Sequence, residues 1–153
     1  MNTYPFLLLI HLASVVVWVG GMFFAYQCLR PAAAQLLEPP LRLRLWRQVL
    51  ERFFVWVWVA VAAIPASGLA ILLPVGFPAA PLRWHLMLGL GLMMIAIYLH
   101  LFFSPYAALK RAVEAGDWQA GGAALARIRR LVAINLGLGF TIIAVVILGK
   151  LFD

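Results

Sequence analysis

The residues with the most chemical capacity in this 153-residue chain are three histidines, His11, His85 and His100, each inside a long apolar run. Few other polar side chains share those runs: Ser14, Ser67, Asn135 and Thr141. A polar group held among apolar neighbours is costly unless it has a partner or a task. A neutral imidazole in that setting is either hydrogen-bonded as part of the structure or a ligand to a metal or haem iron. No Asp or Glu lies well inside an apolar run, which argues against a proton-coupled transporter built on a buried carboxylate. Cys28 is the only cysteine, so there is no internal disulfide and no thiolate metal cluster, and it reads as a reduced, inert thiol.

Depth sorts the histidines. His11 lies roughly 10 Å and His85 about 5 Å below the starts of their runs at 1.5 Å per residue. The two runs point the same way, so this pair shares one half of the molecule and forms a natural axial set for one haem. Trp18, seven residues after His11 on the same helical face, would wall such a pocket. Gly20, Gly21, Gly89 and Gly91 would allow close backbones or leave room for a flat ring. His100 lies at the other end, level with Met22 and Asn135, and is expected to hydrogen-bond Asn135 or a nearby backbone carbonyl rather than bind metal. With three histidines at most one bis-histidine haem fits. Methionine thioethers suit copper(I), but Met22, Met87, Met93 and Met94 form no Met-x-x-Met cluster and read chiefly as packing; His85 with Met87 is the copper alternative. Arg52, Arg129 and Arg130 stand at the mouths of the apolar runs, and Arg52 and Arg130 are the candidates to clamp the carboxylates of a propionate-bearing ligand.

The elements that must position these residues follow from composition. Apolar residues make up 66% of the chain and charged residues 11%, too little polar surface for a soluble domain of this size. The apolar residues gather in four blocks, about 4–26, 53–73, 82–104 and 131–152, each long enough to cross a hydrocarbon core of about 30 Å. The first block has no basic leader segment and no A-x-A-like cleavage site, so it is expected to remain in the mature chain. The sequence predicts an all-α fold: one integral membrane four-helix bundle spanning 1–153.

The net charge of +7 does not call for nucleic acid, because its carriers sit in two loops. Arg30, Arg42, Arg44, Arg47 and Arg52 lie between the first and second blocks; Lys110, Arg111, Arg127, Arg129 and Arg130 lie between the third and fourth. The positive-inside rule places both loops in the cytoplasm and both termini outside, in the periplasm of a bacterial inner membrane. Expected partners are membrane lipid and either further copies of the chain or a larger membrane complex. Arg30-Pro31 is expected to end the first helix and Ser104-Pro105 the third. Pro39-Pro40 would start an inward extension of the second helix, Gly116-Asp117 would break the second basic loop into a helical extension of helix three and one leading into helix four, and Pro74 to Pro81 forms a tight outer turn.

The stretch His11-Leu12-Ala13 through Trp18-Val19-Gly20-Gly21 resembles the first helix of the copper-resistance protein D-like membrane domain. Arg52-Phe53 to Ser67-Gly68-Leu69 resembles its second helix, and Arg129-Arg130-Leu131 to Asn135-Leu136-Gly137 its last. The chain also resembles the related HemJ-type protoporphyrinogen oxidases, which bind haem b; on that comparison His11 matches the first-helix histidine and Trp84-His85 falls near the start of the third helix. Those oxidases carry a lysine just beyond, where this chain has Met87 and Leu88. That departure from the resemblance counts against porphyrinogen oxidation and leaves haem binding open. The leading expectation is a haem b-binding membrane protein with a redox or electron-transfer role, an oxidoreductase if it is an enzyme, with haem between helices one and three. The alternatives are a membrane protein that imports or buffers copper(I), and a cofactor-free subunit or assembly factor of a larger complex.

Overall fold

The computed structural model describes residues 3–151; Met1, and Phe152 at the end of the expected fourth span, lie outside the described residues. Four long helices account for nearly all of it: α1 (Tyr4–Leu36), α2 (Pro39–Leu72), α3 (Leu82–Ala115) and α4 (Trp118–Leu151). Each runs 33 or 34 residues, about 50 Å at 1.5 Å per residue. The excess over a hydrocarbon core projects at the arginine-rich end. All four are long and apolar enough to cross a membrane, and the chain is a multi-pass membrane protein built as a four-helix bundle.

Two expected helix ends are not ends. α1 runs through Arg30-Pro31 to Leu36, and α3 runs through Ser104-Pro105 to Ala115. Proline removes an N–H and crowds the carbonyl four residues back. In both helices a wider π-turn absorbs that conflict, Ala25–Leu29 just before Pro31 and Phe102–Tyr106 around Pro105. A third π-turn, Val16–Gly20, carries Trp18.

The expected breaks at Pro39-Pro40 and Gly116-Asp117 are present. Gly116 adopts φ 68°, a left-handed conformation that glycine enters without strain, and Asp117 caps α4 by accepting the Ala120 N–H at 2.9 Å. At the opposite end Gly76, with φ 82°, turns the chain into a short 3-10 segment, Phe77–Ala79.

α1 lies chiefly against α2, and α3 chiefly against α4. The two pairs close on each other at the arginine-rich end. Gly121 on α4 admits the Leu43 side chain of α2 across the pairs, and within the first pair Gly21 on α1 admits the ring of Phe53 from α2; a Cβ at either glycine would press into these side chains. Val57, Leu109 and Ile128 are sealed there, and Phe54 meets Tyr98 and Tyr106 edge to face at centroid distances of 5.5 and 4.8 Å. Toward the opposite end the pairs separate, and none of the side chains from Tyr4 to Val15 is buried.

Candidate functional site: a thioether- and imidazole-lined cavity away from the arginine-rich end

Where the helix pairs separate they enclose a cavity of ≈ 500 Å³, within the range of small-molecule sites. All four helices contribute to its wall, which is almost wholly apolar. The exceptions are His11 within the span, and Tyr4, Arg83 and Lys150 toward the mouth.

His11 is held by α2. Its Nδ1 lies 3.1 Å from the Ile64 carbonyl oxygen and 3.1 Å from Ser67 Oγ. The Ser67 hydroxyl donates to the Ala63 carbonyl at 2.6 Å, so its oxygen is left to accept. Both groups facing Nδ1 are therefore acceptors, and Nδ1 carries the proton. In the neutral ring that leaves Nε2 with its lone pair free, the form in which an imidazole binds a metal. Gly68 makes the approach possible: a Cβ there would sit 3.3 Å from His11 Cε1, tighter than ordinary contact. The Ser67-Gly68 step is thus a seat for the histidine.

The facing wall supplies sulfur. Met87 and Met94 both line the cavity from α3, seven residues apart and so on one helical face. Asn135 of α4, 2% exposed, donates to the Met94 carbonyl oxygen at 3.1 Å and ties the two helices together at that level. Trp18, 4% exposed, forms the floor. It also lines a smaller cavity of ≈ 40 Å³ on the arginine-rich side, so its indole separates the two spaces.

Other expected members of the site lie elsewhere. His85 is exposed on α3, its Nδ1 donating to the Pro81 carbonyl at 3.3 Å within its own first turn, and it does not line the cavity. The two residues from His85 to Met87 turn the helix by about 200°, so the face that brings Met87 inward carries His85 outward. The His11–His85 axial pair is consequently not assembled. Nor is the His100–Asn135 pair: His100 is exposed, while the Asn135 amide is used on Met94 and its Oδ1 has no partner among the described residues. Arg52 and Arg130 are exposed at the arginine-rich end and border neither cavity. Of the glycines expected to leave room, Gly91 lines the cavity, whereas Gly21 serves close packing instead.

Sequence reasoning passed over Met94, Gly68, Arg83 and Lys150 as site residues. The seven-residue spacing of Met87 and Met94 was a readable signal; the seating of His11 on Gly68 needed the helix pairing. Among the described residues no three His, Cys, Asp or Glu side chains converge to hold a metal, so metal binding here would draw on thioethers.

The sequence matches the family described as copper resistance protein D over residues 47–148. That stretch takes in most of α2, all of α3 and nearly all of α4; His11 and Trp18 precede it. No curated protein and no solved structure matches the chain.

Proposed function

The chain belongs to the copper resistance protein D family, and on that premise we propose that it takes copper(I) as cargo into the outer cavity, importing or buffering it at the periplasmic face of a bacterial cytoplasmic membrane. The observation that carries this reading is the state of His11. Its Nδ1 proton is committed to Ile64 and Ser67, so Nε2 keeps its lone pair, and the ring lines a cavity that Met87 and Met94 also line. One imidazole and two thioethers form a soft donor set. It suits copper(I) and disfavours magnesium or calcium, which demand oxygen ligands. The apolar wall around the donors keeps bulk water from competing for the ion.

The proposal is tested by titrating purified full-length protein with copper(I), without oxygen, against a chromophoric chelator. Stoichiometric binding, weakened by paired Met87→Leu and Met94→Leu changes, is the expected result. Failure to compete with the chelator would overturn it. For the orientation, a reporter inserted near Gly116 should read as cytoplasmic and one fused after Asp153 as periplasmic; the reverse would put the cavity on the wrong side.

One observation favours a second reading, haem b with His11 as its only histidine ligand. Arg83 and Lys150 line the same cavity, and cations at a cavity mouth can pair with carboxylates such as propionates. A Soret band in the purified protein, without bound copper, would select that reading.

A further inference from the structure

At the arginine-rich end, three half-buried arginines from three helices come near one another: Arg30 of α1, Arg42 of α2 and Arg129 of α4. Arg30 and Arg129 line the small cavity above Trp46 and Asn135, and Arg129 lies within electrostatic reach of both Arg30 and Arg42. The Arg30 guanidinium lies over the Tyr26 ring, 4.8 Å from its centroid. None of the three has a carboxylate or hydrogen-bond partner among the described residues. Arg47, by contrast, is neutralised by Glu114 at 2.9 Å. Like charges drawn together and partly shielded from water repel one another, and that cost persists unless an anion lies between them. Arg52 and Arg130, equally close to the membrane in sequence, point away and are exposed. The convergence is thus a property of the tertiary fold and not of loop charge in general.

We propose that Arg30, Arg42 and Arg129 form a binding site for a phosphate group, with the guanidinium forks directed at its oxygens. Guanidinium matches phosphate geometry with paired N–H donors. The site lies at the level where the cytoplasmic leaflet presents its headgroups, and basic pockets between membrane helices on that side bind anionic lipid. The phosphodiester of an anionic phospholipid and a free phosphate offer the same chemistry. This inference is independent of what the outer cavity binds.

The test is native mass spectrometry and thermal unfolding of the detergent-solubilised full chain, with added phosphatidylglycerol, phosphatidylcholine or inorganic phosphate. Retention of phosphatidylglycerol over phosphatidylcholine is expected. Each of Arg30→Gln, Arg42→Gln and Arg129→Gln should weaken it about fivefold, near the contribution of one basic residue at a membrane surface. Arg129→Lys keeps the charge but loses the fork and should fall between Arg129→Gln and the parent chain. Displacement of the lipid by millimolar inorganic phosphate would assign the site to free phosphate as well; no displacement would assign it to lipid alone. Equal lipid retention by the parent and Arg129→Gln chains would overturn the proposal. So would an equal loss in an Arg52→Gln/Arg130→Gln control, since the effect would then be loop charge and not this cluster.

Discussion

The two halves of this bundle are built from the same kinds of apolar residue and come out opposite in packing. At the arginine-rich end, Phe54, Tyr98, Phe102 and Tyr106 lock edge to face, and Val57 and Leu109 are fully enclosed. At the opposite end, none of the first twelve residues of α1 is fully buried, and the space between the helix pairs holds ≈ 500 Å³ of cavity. In a membrane, apolar residues gain little by leaving lipid for one another, so helices hold together where side chains interlock. Interlocking concentrated in one half frees the other half to stay open, and His11 stands in the open half. The division assigns rigidity to the arginine-rich end and ligand capacity to the opposite end.

The contrast can be broken most severely from the packed side. Phe54→Ala should remove about 3 kcal/mol of stability, at the low end for a large aromatic truncation, read as a lower midpoint in denaturant titration in mixed micelles. Copper(I) affinity of the folded fraction should stay within about threefold of the parent, because an independent distant site adds rather than couples. A matched collapse of affinity would show that the two halves are one unit.

His11→Ala is the converse. It should lower copper(I) affinity about a hundredfold while costing only about 1 to 2 kcal/mol, the size of a membrane hydrogen bond. Chelator competition and unfolding on the same sample separate the two effects, and an unchanged affinity would remove His11 from the site. Ser67→Ala sharpens the comparison further. It removes one acceptor from Nδ1 but leaves Ile64, so affinity should fall about tenfold, the lower end for a residue supporting a ligand. A loss equal to that of His11→Ala would mean that Ser67 itself touches the ligand. Smallest of all, His100→Gln should change stability by less than about 0.5 kcal/mol and leave copper binding alone, because the ring is exposed and unpartnered among the described residues. A larger loss of stability would indicate a lipid or neighbouring chain on that face.

How far the site was legible in the sequence depends on the residue. The depth of His11 was, since it follows from distance along a single helix. Gly116-Asp117 was, because left-handed backbone and helix capping are local chemistry. The endings at Pro31 and Pro105 were misread because a proline's conflict can be absorbed by a π-turn, and the neighbouring residues carry no mark of that remedy. The His11–His85 pairing failed for a different reason. Depth along two helices puts residues at one level, but their rotation decides whether they face each other. α3 is rotated to bring Met87 and Met94 inward, which leaves His85 outside.

The arginines make the same distinction. Their number and their confinement to two loops were written in the chain, because charge partitions against the membrane loop by loop. Four spans, a common side for the basic loops and the level of each polar residue all follow from apolar length and 1.5 Å per residue. Which helices pair, where the pairs part, and why Arg30, Arg42 and Arg129 meet while Arg52 and Arg130 do not were decided only in the tertiary structure. Those outcomes depend on which side chains interlock across helices, such as Phe53 against Gly21 and Leu43 against Gly121, and the contacts join positions far apart in sequence, whose fit no one helix contains.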